Sequence, residues 1–394
     1  MNNQKPIKDY LFFQEGPGVR KNQYTTSGIK LLNVANLVDG QVDLSTSDRY
    51  ISEEEAYGKY NHFLVDEGDL VIASSGIKVE YFDKKMGFVN KEQLPLCMNT
   101  STIRFKSLNS NEVDIRYFMY YLKSDSFKQQ LFKQITGSAQ LNFGPSHLSK
   151  MTFPLISLNK QKKLIIRLDK INNVINNKTE QLNKIDYLIK SRFIETFGDM
   201  SAIKNKKDFV PLGDVCDIRD GTHDSPKYYS KGYPLVTSKN VTSGQIDFST
   251  CSLISKEDYD KINTRSKVDI GDILMPMIGT VGNPIIVNTD KEFAIKNVAL
   301  LKFSDDASVT NVFVKALLES SYFDMEIISK IRGGTQKFIS LGDIRKLPIL
   351  VPSLELQYGF SNFVEQVNKS KFDVQKSIDE LQTLYDSLMQ KYFG

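Results

Sequence analysis

The sequence predicts an α/β (α+β) protein in which one domain is used twice and each copy is followed by a long helix. Three observations carry that prediction: an internal repeat, short β-type runs broken by turn residues within each copy, and two matched stretches with a heptad seam. The repeat comes first. GIKLLNVANLVDGQVDLS (28–45) lies over GYPLVTSKNVTSGQIDFS (232–249), sharing Gly28/Gly232, Leu31/Leu235, Asn36/Asn240, Gly40/Gly244, Gln41/Gln245, Asp43/Asp247 and Ser45/Ser249. VDEGDLVIASSG (65–76) returns as VDIGDILMPMIG (268–279), residues 135–161 run against 331–357, and the copies end alike at Phe197-Gly198 and Phe393-Gly394. A period this long describes a duplicated domain with a connector and not a solenoid.

Within each copy the runs LLNVANL, DLVIASS and STIRFKS, and then PLVTSKN, DILMPMI and NVALLKF, predict short strands between Gly, Asn and Asp turns. Residues 112–133 and 309–331 predict a helical stretch in each. After Pro154 and Pro352 the pattern changes to residues 161–198 and 357–394, interrupted only by Gly359. Leu164, Leu168, Ile171, Ile175, Lys178, Leu182, Ile185 and Ile189 follow alternating steps of four and three. Phe360, Val364, Val367, Lys371, Val374, Ile378, Leu381 and Tyr385 do the same in the second stretch. That is a heptad seam about four heptads long, on helices reaching ~55 Å. An amphipathic helix lying on its own globule is the competing reading, but the matched length and placement favour two helices packed on each other. The expected division is a first domain over 1–157, a central helix over 158–198, a second domain over 199–354 and a C-terminal helix over 355–394.

Composition narrows the function classes. The 394 residues are 40% hydrophobic and 25% charged, which fits neither a disordered nor a fibrous chain. No apolar run approaches the ~18 residues of a membrane span, and the N-terminus lacks a signal-peptide pattern, so a cytoplasmic protein with no membrane partner is expected. Cys97, Cys216 and Cys251 show no CxxC spacing, which argues for buried thiols over disulfides or a metal site. His62, His147 and His223 fall in no catalytic motif. The Gly-rich runs at 279–282 and 333–335 open neither a GxGxxG nor a P-loop pattern, and no N-P-P-aromatic or D-P-P-aromatic methyltransferase motif occurs. These absences argue against catalysis by this chain. Net charge is only +4, with 27 Lys and Arg against 21 Asp and Glu in residues 1–198 and 24 against 26 in residues 199–394. Any nucleic-acid contact must therefore be local, or a partner must neutralise much of the phosphate.

The loops do carry chemistry suited to base edges. Arg20, Lys21, Asn22 and Tyr24 lie in QEGPGVRKNQYTTSG (14–28), and Thr222, His223, Asp224 and Lys227 in DGTHDSPKYYSKG (220–232). Arg and Lys can pair with guanine, Asn and Gln with adenine, Asp with cytosine; a solvated turn cluster is the plainer alternative. Asn33, Thr237 and Lys239 flank the loops. Asn36 and Asn240 persist between divergent copies and suit a turn role, whereas Asn33 and Thr237 differ, as a specificity position should. Gln140, Asn142, Gln336 and Lys337 lie in polar, Gly-flexed segments fit for phosphate or base contact, although Gly137 and Gly333 would serve equally as helix caps. Lys162, Lys163, Arg167, Lys170, Lys184 and Lys190, off the seam, are either docking cations or a solvated face.

DGTHDSPKYYSKGYPLVTSKNV and EGPGVRKNQYTTSGIKLLNVANL resemble the opening segments of target-recognition domains in the specificity subunit of Type I restriction–modification systems, and the resemblance covers essentially the whole chain. It implies two target-recognition domains separated by two long antiparallel coiled-coil helices with a pseudo-twofold axis, each domain reading half of a bipartite, asymmetric DNA target. It also implies a non-catalytic chain that binds double-stranded DNA and two modification subunits. No cofactor is expected on this chain: S-adenosylmethionine for adenine N6 methylation would reside on the modification subunits, and ATP and Mg on restriction subunits where these join. A duplicated DNA-binding regulator acting alone, or an enzyme with unfamiliar motifs, remain the alternatives from the residues themselves.

Overall fold

The computed structural model describes residues 4–134, 141–203, 209–242, 244–278, 281–330 and 338–394. The chain forms two compact units, Met1–Asn177 with Ser377–Gly394, and Lys178–Lys376.

In the first unit the strand Thr102–Ser107 lies within an antiparallel sheet, between Leu11–Glu15 and Leu70–Ala73, with Met86–Phe88 beyond. Leu70–Ala73 is buried along its whole length, which is why its sequence reads as a continuous apolar run instead of alternating. A second sheet holds Ile29–Leu32 between Leu96–Met98, parallel to it, and Tyr50–Ile51, antiparallel. The helices Ile115–Lys123 and Asp125–Gln134 add Tyr117, Phe118, Tyr121, Phe127 and Leu131 to the core. The sequence predicts one helical stretch here; the chain makes two because Ser124 ends the first and its hydroxyl accepts the Phe127 N–H (3.2 Å) at the start of the second.

The second unit repeats this order. Val298–Lys302 lies between Asp217–Asp220 and Ile273–Pro276, with Ile285–Ile286 beyond, and Tyr233–Thr237 lies between antiparallel Ser252–Ile254 and parallel Ala294–Lys296. The helix pair Asn311–Leu318 and Ser321–Glu326 is divided at Ser320, as the first is at Ser124. A longer helix, Lys256–Ser266, stands where the first unit has the single turn Glu53–Tyr57.

The strand predicted from LLNVANL stops at Leu32 because Asn36 turns the chain. Its Oδ1 accepts the Asn33 N–H (2.9 Å) and its Nδ2 donates to Asp43 O (3.1 Å) and Thr46 Oγ1 (3.3 Å). Asn240 makes the same bonds to the Thr237 N–H, Asp247 O and Thr250 Oγ1. The Ser45 hydroxyl and N–H hold the Asp43 carboxyl below its ordinary range, and Ser249 does so for Asp247. Gly40 and Gly244 supply the left-handed residue, φ 83° and 79°. The identities that reveal the repeat are thus mostly the parts of one turn.

The central helix runs Leu158–Phe197 and the C-terminal helix Leu354–Phe393, 40 residues and ~60 Å each. All the seam positions are buried or half-buried. In the first unit Leu164, Ile165 and Leu168, near the start of the central helix, share a core with Met389 and Phe393 at the end of the C-terminal helix; the Phe393 ring is 5.0 Å from Tyr117. In the second unit Phe193 and Phe197, ending the central helix, pack with Phe360 near the start of the C-terminal helix, and Phe197 lies 4.9 Å from Phe313. Each unit therefore contains an antiparallel helix pair, and each helix also lies on its own globule, so the two competing readings of the seam are both realised. The seam residue Lys371 donates to Asp186 (2.6 Å) across the pair in the second unit.

Two buried glutamines fasten the helix starts. Gln161, 0% exposed, accepts the Asp114 N–H (2.9 Å) and donates to Glu112 O (2.7 Å) and Ile156 O (2.8 Å). Gln357, also 0% exposed, accepts the Thr310 N–H (2.7 Å) and donates to Ser308 O (3.0 Å) and Pro352 O (2.9 Å). Cys97 and Cys216 are buried and burial pushes both thiols up to about 12, while Cys251 is half-buried. Replacing Gln161 or Gln357 by Ala removes three hydrogen bonds to the backbone and should destabilise the unit holding it by about 2–4 kcal/mol. Urea unfolding checks this, and Gln→Glu at either site should also destabilise, because a carboxylate can accept but not donate.

Candidate nucleic-acid interface

In each unit the loops that carry the polar candidates meet at one end of the sheets. In the first, the Gly16 N–H donates to Thr102 O (2.9 Å), Asn99 N–H to Leu32 O (3.1 Å), Ser74 N–H to Ser101 O (2.8 Å) and Phe143 N–H to Ser74 O (3.0 Å). These bonds gather residues 15–24, 33–36, 74–77, 99–101 and 141–144 into one rim. A Cβ at Gly16 would lie 2.0 Å from Asn99 O, so only glycine allows the loop to leave the sheet this closely. Ser101 is left-handed, φ 66°, and its hydroxyl is 2.7 Å from that of Ser75.

The second unit builds the same rim with other side chains. Gly221 N–H donates to Val298 O (3.2 Å), Thr222 N–H to Ile295 O (3.0 Å) and Asn297 N–H to Thr222 O (3.2 Å). A Cβ at Gly221 would lie 2.0 Å from Ile295 O, and Asn297 takes the left-handed place of Ser101 with φ 54°. Ile278 bridges to Phe338, as the strand Ser75–Ile77 pairs with Leu141–Asn142 in the first unit.

The structure brings most of the expected residues to these rims. Arg20, Lys21 and Asn22 are exposed on the short turn Lys21–Gln23, held by Gln23, which donates to Glu55 Oε1 (2.7 Å) and Tyr60 Oη (3.1 Å). Tyr24 is half-buried under the Arg49 guanidinium, 5.5 Å from its ring. Asn142, Asp224, Lys227 and Lys239 are exposed; the Lys227 ammonium lies 5.7 Å from the Tyr229 ring. Thr222 Oγ1 accepts the Asp224 N–H (3.1 Å). The His223 ring bridges Asn297 Oδ1 and Asp220 Oδ2, each 2.8 Å away, and the Asn297 carboxamide, then the Asp220 carboxylate, raise its imidazole above the ordinary value. Gln140, Gln336 and Lys337 lie outside the described residues. Of the helix cations, Lys162, Lys163, Arg167, Lys170, Lys184 and Lys190 are all exposed, and Lys184 pairs with Glu180 (2.7 Å).

Asn33 and Thr237 bond neighbours within their own domains. Asn33 is 8% exposed; its Nδ2 donates to Leu31 O (2.9 Å) and its Oδ1 accepts from Asn99 Nδ2 (2.8 Å). Thr237 Oγ1 donates to Asn240 Oδ1 (2.8 Å). Both act one layer beneath the rim. The sequence reading missed Arg49, Asn99, Ser101, Asp220, Lys296 and Asn297. Asp220 stood inside the DGTH run; the others come from the ends of strands that the sheet pairings bring near the loops.

A family model, the Type I restriction modification DNA specificity domain, matches residues 11–187 and again 204–382. The chain belongs to the Type I restriction–modification DNA specificity family. The specificity subunit MjaIX of Methanocaldococcus jannaschii is 21% identical over 98% of this chain and 91% of its own length. The MjaVIII subunit of the same organism is 26% identical over 46% of this chain, in an alignment that takes in 41% of that protein. Among solved structures, the Type I S subunit from M. genitalium matches with a TM-score of 0.54 at 16% identity, over 100% of this chain and 96% of that one. A chain from a structure of a Type I restriction–modification complex matches at 0.58 and 17%, over 99% and 97%. This specificity protein is accordingly a DNA-recognition subunit and not a catalyst. Among the described residues no helix is long and apolar enough to cross a membrane.

Gly16→Ala and Gly221→Ala each force the rim loop off its strand while leaving the core untouched. Each should weaken binding of the complex to its target DNA by roughly tenfold or more with unchanged far-UV circular dichroism, measured by fluorescence anisotropy.

Proposed function

We propose that the two rims read the two halves of a bipartite, asymmetric DNA target, with the first domain at one half-site and the second at the other. The observation that carries this is one scaffold edge built twice with different exposed chemistry: Arg20, Lys21 and Asn22 in one copy, His223, Asp224 and Lys227 in the other. Rims that share a backbone and differ in donors and acceptors suit half-sites of different sequence. The long helices act as the ruler that leaves a fixed spacer unread. Two modification subunits would bring S-adenosylmethionine and methylate adenine N6, one on each strand, and restriction subunits, where present, would bring ATP and Mg. Exposed apolar side chains on the helices, Ile166, Tyr187 and Phe372, support docking of protein partners there. The cytoplasm, where the DNA is, is the proposed location.

Long-read sequencing of a host expressing the chain with its modification subunit should reveal an adenine motif in two unequal halves that vanishes when the chain is removed. Absence of any chain-dependent motif, with the complex verified, would move the reading to a DNA-binding regulator. Lengthening both helices by one heptad, about 10 Å, should lengthen the unread spacer by about three base pairs and leave both half-site sequences as they were; the same sequencing checks it.

A further inference from the structure

The His223 ring is the one rim side chain discussed above with both of its polar atoms engaged by acceptors. Nδ1 lies 2.8 Å from Asn297 Oδ1 and Nε2 lies 2.8 Å from Asp220 Oδ2. A carboxamide oxygen and a carboxylate oxygen can only accept, so the geometry calls for a proton on both ring nitrogens, which is the imidazolium. The side chain is nonetheless 63% exposed at the rim.

Both acceptors are fixed. Asp220, buried at the end of its strand, also takes a bond from the Arg265 guanidinium and is followed by Gly221, whose backbone packs too closely on Ile295 O to admit a Cβ. Asn297 sits in a left-handed conformation that Asn tolerates. Its N–H donates to Thr222 O (3.2 Å) and its carbonyl accepts from Ser238 Oγ (3.3 Å). Charged groups on the elements around the ring include Asp220 on its own strand, with Asp217 and Arg219 beside it, Asp224 and Lys227 in the loop, Lys296 on the parallel strand, and Asp258, Lys261 and Arg265 on the helix Lys256–Ser266. Lys296 bonds Ser225 Oγ, and Asp220, Asp224, Asp258, Lys261 and Arg265 line one cavity of about 220 Å³ at the foot of the loop. The Asn297 carboxamide and then the Asp220 carboxylate raise the imidazole, against the opposing charge of Arg265. The first domain has no counterpart: Glu15-Gly16-Pro17-Gly18 stand where Asp220-Gly221-Thr222-His223 stand in the second.

We propose that Asp220 and Asn297 are positioning residues that hold His223 as a fixed cation against a DNA phosphate, so that the second domain grips its half-site in a proton-dependent way and the first does not. With both N–H groups turned inward the ring has no donor left for a base edge, and what it offers outward is charge, which phosphate takes. The proposal rests on reading the second rim as a DNA interface.

The test uses the full complex with its modification subunits and a duplex carrying the mapped adenine motif. Affinity is measured from about pH 5.5 to about pH 8.5 at several salt concentrations. Affinity should fall roughly three- to tenfold as pH rises through the His223 titration, and the salt dependence should become shallower by about 0.9 in log–log slope. His223→Gln should bind weakly at every pH and lose that component of the profile. Asn297→Gly keeps the left-handed backbone and deletes the acceptor, so it should move the midpoint toward the ordinary histidine value near 6.5. The chain has three histidines, so the His223 imidazole can be followed by NMR and assigned from His223→Gln. A wild-type profile indistinguishable from that of His223→Gln, or an imidazole titration that Asn297→Gly leaves unmoved, overturns the proposal. Lys227→Ala and Lys239→Ala separate the two layers of inference. If they weaken binding while the profile lacks a His223 component, the interface reading stands and this proposal fails. If neither they nor His223→Gln affects binding, the interface reading fails with it.

Discussion

The architecture depends on a glutamine buried at the start of each long helix. A helix that leaves a globule has its first N–H groups unpaired and no fixed direction unless something joins it to the body. Gln161 and Gln357 supply that joint by bonding three backbone groups each, two in the loop before a core helix and one in the turn that opens the long helix. Because the carboxamide is fully enclosed, none of the bonds can be exchanged for water without cost, and the helix axis is tied to the sheet whose far strand ends carry the rim. The joint thus fixes the direction in which each long helix leaves its globule.

A second set of retained contacts holds the sheet itself. Asp69 and Asp272 are buried carboxylates raised by desolvation, each receiving a lysine, Lys106 and Lys302, that also reaches Asp66 or Asp269. Their backbone-facing oxygens accept the Asp66 and Asp269 N–H groups, closing the same turn before the central strands. The pattern GD in both copies is therefore structural, as are Asn36 and Asn240. What the duplication retains includes turns, joints and close backbone approaches; what it changes includes the exposed side chains of the rim.

Much of this was legible in the sequence. The repeat, the buried runs and the 3.5-residue seam are periodic signals that tertiary packing reinforces, so DLVIASS, STIRFKS, DILMPMI and NVALLKF all contain the strands they predict. The single helical stretch split at Ser124 and Ser320 because a serine that ends one helix can cap the next, and periodicity alone does not register that. The rim was only half legible. Arg20, Lys21, His223 and Lys227 announce themselves as loop cations, but Asn99 and Asn297 lie some 75 residues from the loops they support, brought there by parallel strand pairing. Asn33 varies between the copies, and its side chain bonds within the layer beneath the rim, a placement that variation alone does not register.

That lower layer couples the rim loops to the strands beneath them. On the adjacent parallel strands Ile29–Leu32 and Leu96–Met98, the residues just past the ends are Asn33 and Asn99, which bond each other at 2.8 Å and pass the contact to Tyr24. The corresponding places in the second domain are Thr237 and Lys296; Thr237 turns to Asn240, and Lys296 reaches instead to Ser225 in its loop. An asparagine pair cannot be replaced one member at a time without leaving a buried carboxamide short of a partner, which costs about 1–3 kcal/mol. A substitution confined to the exposed loop leaves that lower layer as it is, whereas a change at Asn33 or Asn99 alone strands the carboxamide opposite it.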